Sequence, residues 1–141
     1  MKPIIQRLIL GYLALTSIVI GVWAQFAPRS FYDDFPGFGH SWVRVDGPFN
    51  EHLVRDVGEL NLALAAVLLG ALISLRRSMV VTAAIAALLY GAPHVIYHVF
   101  HRAGLDGSDV AASLGGLAIF AILPVVLLMP ESPLSHGEEI R

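Results

Sequence analysis

The apolar residues of this chain neither alternate nor recur as a narrow stripe. They run together in four blocks, at about positions 8–26, 52–75, 79–100 and 110–129. Each block is close to the roughly 20 residues that an α-helix needs to cross a hydrocarbon core about 30 Å thick. The segments between them carry the residues that end helices: Pro28, Pro36, Gly37, Gly39, Gly47 and Pro48 in the first, the polar turn Arg76-Arg77-Ser78 in the second, and Gly104 and Gly107 among charged side chains in the third. In lipid every backbone N–H and C=O must be paired internally, so four such blocks predict four helices. The expected fold is all-α, a four-helix transmembrane bundle forming one integral membrane domain over residues 1–141. No internal repeat or low-complexity tract is visible.

Composition agrees with the pattern. Of 141 residues, 56% are hydrophobic and 14% charged, against about a quarter charged in a soluble domain. A net charge of -2 offers no basic surface for nucleic acid. The absence of cysteine removes disulfides, thiolate metal sites, iron-sulfur clusters and cysteine nucleophiles together. Lys2 and Arg7 ahead of an apolar stretch, with Val22-Trp23-Ala24 behind it, are similar to a secretory leader; the first block is read instead as a retained helix. Lys2, Arg7, Arg76, Arg77 and Arg141 fall on one side of an even-numbered bundle, and Arg29, Arg44, Arg55 and Arg102 on the other. Short basic loops favour the cytoplasm, which predicts a multi-pass protein of the inner (plasma) membrane, both termini cytoplasmic and the long loop 27–50 external.

Candidate chemistry concentrates on the second and third blocks. Ionisable groups at membrane depth are costly and normally face a bundle interior with partners. His52, Asp56 and Glu59 share one helix face at i, i+4 and i+7, and His94, His98 and His101 repeat that spacing. Pro93 is expected to kink the third helix where the histidines begin. A tight turn makes these two helices antiparallel neighbours. Counting outward from residue 77, His52 and His101 lie roughly 25 residues away, Asp56 and His98 roughly 21, and Glu59 and His94 roughly 17 to 18. Six potential ligands would then meet in three layers. Imidazole and carboxylate together suit zinc, iron or manganese, and bundles do build metal centres from inward-facing Glu and His. The expected ligands are His94, His98 and Asp56, then His52, Glu59 and His101, with Asp56 or Glu59 also available as general base for a metal-activated water or oxygen and an apolar substrate arriving from lipid. Haem between paired histidines such as His52 and His101 is disfavoured by the carboxylates beside it.

Non-catalytic readings of the same residues are a helix-dipole role for the first-turn acids, an ion-pair ladder through Glu51, Arg55 and Glu59, and a structural hydrogen-bond network in an accessory subunit or small-ligand carrier. In the long loop, Phe31, Tyr32, Phe35, Phe38, Trp42 and Phe49 suit the membrane interface, with His40, Asp33 and Asp34 as candidate lid residues over the site. Gly11, Gly21, Gly115 and Gly116 permit close helix approach, Pro124 is expected to kink the fourth helix, Asp106, Ser108 and Asp109 offer N-cap oxygens to it, and 131–141 is expected to be a mobile polar tail.

The four-span plan, with Arg55-Asp56-Val57-Gly58 followed by Leu60 and the Ala-Leu-rich run from Leu62, resembles small bacterial membrane proteins of the DoxX-like group. That resemblance implies a membrane-embedded redox or accessory role, linked in some members to quinone oxidation, with a quinone, a second copy or another membrane subunit as partner. The histidine run is not part of it.

Overall fold

The computed structural model describes residues 2–129 and is all-helical. Four long helices, α1 (Pro3–Phe26), α3 (Glu51–Ser74), α4 (Arg77–Phe100) and α5 (Gly107–Leu128), are each long and apolar enough to cross a membrane. They pack as a bundle, α1 against α3, α3 against α4 and α4 against α5, with a lighter contact closing α1 on α5. Their apolar outer faces, including Leu8, Leu15, Leu60, Ile73, Leu89 and Ile122, are exposed, as lipid-facing surfaces are. The protein is membrane-embedded.

Local chemistry sets the boundaries. Pro28 lacks an N–H and disfavours helical backbone at the residue before it, so α1 stops at Phe26 and Ala27 is extended in φ (-135°). The Asn50 side chain accepts from the Leu53 N–H (3.2 Å) at the start of α3, and Asp106 accepts from the Asp109 N–H (2.8 Å) at the start of α5, as the cap-forming oxygens there led one to expect. The turn between α3 and α4 is Leu75-Arg76, one residue earlier than predicted, with Leu75 in left-handed backbone (φ 50°). At the far end of α5, Arg77 donates to the Leu127 and Leu128 carbonyls (2.6 and 2.8 Å), satisfying groups that a helix end leaves unpaired. Helix α4 continues through Pro93 and α5 through Pro124. The expected polar tail 131–141, with Arg141, lies outside the described residues.

Two findings depart from the sequence reading. First, the loop 27–50 is not an irregular aromatic anchor. It holds a further helix, α2 (Pro28–Asp34), and a 3-10 turn at Arg44–Asp46, and its rings pack inward. Phe31 and Tyr32 are buried with Ala24 and Val54, flanked by Trp23, Phe35, Val43 and Phe49. Trp23 meets Phe31 and Phe35 edge-on, both at 5.9 Å, and Tyr32 meets Phe49 at 5.3 Å, geometries aromatic rings favour. Only Phe38 among them is fully exposed, at 101%. The segment is a packed cap on one end of the bundle.

Second, the tightest helix contact joins α3 to α1. A Cβ placed on Gly58 would lie 2.6 Å from the Gln25 backbone nitrogen, and one on Gly21 would lie 2.9 Å from Leu62. Only glycine lets these two backbones approach so closely. Gly11, Gly115 and Gly116, expected to serve the same purpose, have nothing within 4 Å of such a Cβ.

Candidate functional site

Because α3 turns toward α1, its acidic stripe does not confront the histidines of α4. Glu59 accepts from the Gln25 amide on α1 (3.3 Å). Arg55 donates to the Gln25 carbonyl and pairs with Glu51 at 2.8 Å, so the lower half of the expected ladder exists and Glu59 stands apart from it. His52 lies 3.5 Å from Asp56 one turn away, with 88% of its side chain exposed. On α4, His101 donates through Nδ1 to the Tyr97 carbonyl (2.9 Å) and stacks on the Tyr97 ring. His94 and His98 also come together, ring centroids 4.8 Å apart, and of the six they are the two that line a cavity. Among the described residues no group of three His, Asp or Glu side chains is arranged to hold a metal ion. Equal counts from a turn fix height along two helices, not the direction in which each face points.

What His94 and His98 face is a cavity of about 390 Å³, within the range of small-molecule sites. It lies in the cap half of the bundle. Leu10, Leu13, Leu68, Val80 and Leu127 close the opposite half as a core without exposure, while the cap lays Phe31, Phe35, Trp42 and Val43 over the cavity. Most of its wall is apolar, from Ile20, Val54, Val57, Leu117, Phe120 and their neighbours. Its polar side chains are few: Tyr12, Thr16, Asp46, Asn61, Tyr90, His94, His98 and Ser113, with the Trp42 indole committed to Asp109.

Asn61 and Tyr90 are its most constrained polar pair. Asn61 is 1% exposed. Its Nδ2 donates to the Val57 carbonyl (2.8 Å) and to the Tyr90 hydroxyl (3.0 Å). The Val57 carbonyl accepts only, so it fixes which end of the amide is nitrogen. The other end, Oδ1, is buried without a hydrogen-bond partner among the described residues. The Tyr90 ring in turn lies stacked with His94 at 5.7 Å and edge-on to Phe120 at 6.0 Å, the latter brought close by Gly91, whose added Cβ would meet Phe120 at 3.2 Å.

The cap is fastened to α5 through Asp109. Its Oδ1 accepts from the Trp42 indole (2.9 Å) and lies 2.6 Å from His40 Nδ1. His40 therefore ties the cap down rather than reaching the cavity, while Asp33 and Asp34 bond back to Arg29 and Ser30 within α2. The acidic cap residue that lines the cavity is Asp46.

No family model, curated protein or solved structure matches this chain.

Sequence reasoning passed over Asn61, Tyr90, Asp46 and Ser113. The signal for Asn61 was present: it is the lone amide in the apolar run from Leu60 to Leu75, and a polar group at that depth demands a partner.

Proposed function

We propose that the protein is a membrane-embedded binding protein for a small, largely apolar molecule with one polar head. The carrying observation is the buried Asn61 Oδ1, an unpaired acceptor on a residue that lines a mostly apolar cavity of about 390 Å³. Leaving such a group unsatisfied costs about 1–3 kcal/mol, and a bound molecule with a matching group recovers that cost. The helices supply the apolar wall, Asn61, Tyr90, His94 and His98 the polar end, and the cap its cover.

The same reading takes the chain as multi-pass in the inner membrane, with the cap external. In support, Arg76 and Arg77 sit at the shortest connection, with Lys2 and Arg7 at the same end, whereas Arg29 and Arg44 of the cap lie in a longer loop.

The test uses purified protein in lipid nanodiscs titrated by calorimetry with two naphthalene probes, 1-naphthol and 1-methoxynaphthalene. Saturable binding of either, one per chain, above the linear partitioning into empty discs is expected. Gly116 lines the cavity and has room for a side chain, so Gly116→Phe should fill the space and weaken binding at least tenfold. Partitioning alone, or binding that Gly116→Phe leaves intact, overturns the proposal. Zinc, iron or manganese at one equivalent per chain, lost in His94→Ala/His98→Ala, would support the metal-dependent reading in its place.

A further inference from the structure

The hydrogen-bonding inventory of Asn61 and Tyr90, which line the cavity, goes further than apolarity and specifies a head group. Resting on the binding reading above, we infer that the ligand carries a hydroxyl, an alcohol or phenol, rather than a carbonyl, an ether or a carboxylate.

Both hydrogens of the Asn61 amide are committed, one to the Val57 carbonyl and one to the Tyr90 oxygen (2.8 and 3.0 Å). That leaves Oδ1, which only accepts, so whatever meets it must bring a hydrogen. Tyr90 is the complement. Its oxygen accepts from Asn61, and its own O–H hydrogen has no acceptor among the described residues. An unpaired acceptor and an uncommitted donor therefore belong to two hydrogen-bonded residues, Asn61 and Tyr90, that both line one cavity. A hydroxyl is the smallest group that answers both, donating to Asn61 Oδ1 and accepting from Tyr90 O–H. A ketone or quinone carbonyl answers Tyr90 alone and leaves Oδ1 buried and unpaired. A carboxylate sets two acceptor oxygens against it, and repels it. The rest of the wall, with Val57, Gly91, Leu117 and Phe120 close to the pair, receives the apolar body. A trapped water could also hydrogen-bond to both groups. In that case a ligand's hydroxyl gains nothing over an ether, which gives the measurement its second arm.

The experiment compares 1-naphthol with 1-methoxynaphthalene, the same body with its hydrogen replaced by methyl, on the full chain in nanodiscs. Naphthol should bind about tenfold more tightly or better, the worth of satisfying a buried acceptor. Asn61→Leu should reduce that ratio to near one while leaving methoxynaphthalene binding within a few-fold of wild type. Tyr90→Phe, which removes the donor that both probe oxygens can use, should weaken both and preserve the ratio. If Asn61→Leu does not fold, the wild-type ratio and Tyr90→Phe still decide. Equal affinity for the two probes, or a preference for the ether, overturns the hydroxyl assignment and leaves the binding cavity standing. Failure of both probes to bind saturably removes the cavity reading itself.

Discussion

Replacing Gly58 with alanine adds one methyl group to α3 at the point where it touches α1. That methyl would lie 2.6 Å from the Gln25 nitrogen and 2.9 Å from its Cα and Cβ. Ordinary contact begins near 3.4 Å, so the helices must separate by close to an ångström locally. The obstructing atoms are backbone and Cβ, which cannot rotate away. Opposing this is the helix preference of alanine over glycine, about 1 kcal/mol. Overpacking a well-filled contact costs about 1–3 kcal/mol, and separating the helices also loosens the bonds from Arg55 to the Gln25 carbonyl and from the Gln25 amide to Glu59, each worth about 1 kcal/mol. The net expectation is a loss of about 2 kcal/mol, read as ΔΔG from equilibrium unfolding in mixed micelles followed by circular dichroism. Gly11→Ala is the internal control, because an added Cβ there meets nothing within 4 Å; it should be neutral or stabilising by up to about 1 kcal/mol. If Gly58→Ala is as stable as Gly11→Ala, the α1–α3 seam is not packed at backbone distance and the account of why α3 turns away from α4 collapses with it.

Two further outcomes follow from the ends of the helices. The Asp106 carboxyl is held below its ordinary value by the Asp109 N–H and then by the Ser108 hydroxyl. A depressed folded pKa means that its contribution is complete above the ordinary carboxyl range near pH 4 and is lost as pH falls through the folded value. Protection of the 107–110 amides, taken relative to their intrinsic exchange rates, should therefore fall on acidification below about pH 4, and Asp106→Asn, which still caps, should flatten that dependence; an unchanged slope refutes the cap. For orientation, an alkaline phosphatase fused after the last residue should be inactive, because that enzyme matures only outside the cytoplasm, and an active fusion would reverse the assignment of the cap to the external side.

The four long helices were legible because hydrophobic length is a coarse quantity: predicted and observed limits of α3, α4 and α5 differ by at most three residues, and α1 begins earlier because Pro3 is a competent first helical residue. Partner choice was not legible. A two-residue turn makes α3 and α4 sequential neighbours, yet the glycines at 21 and 58 give α3 its tighter contact with α1, and which faces meet depends on rotation about the helix axis that counting residues cannot supply. The candidate site suffered from the same gap. His94 and His98 do share a face and do line a cavity, while Asp56, Glu59 and His52 lie along a helix whose inward face is marked by Val54, Gly58 and Asn61. A cover over one end of the bundle was expected of the long loop, but its inward packing was not legible, because aromatic residues serve a membrane interface and a miniature core equally well.

The two fastenings of this bundle lie within pairs: backbone contact holds α1 to α3, and the Arg77 clasp on the Leu127 and Leu128 carbonyls holds α4 to α5. The seam between pairs has neither; it is crossed by the hydrogen bond from Asn61 to Tyr90 and, at the cap end, by the contacts of Asp109 with Trp42 and His40. A change in the volume of the interior is therefore easiest to accommodate along that seam, where a few polar contacts rather than interlocked backbone hold the two halves together.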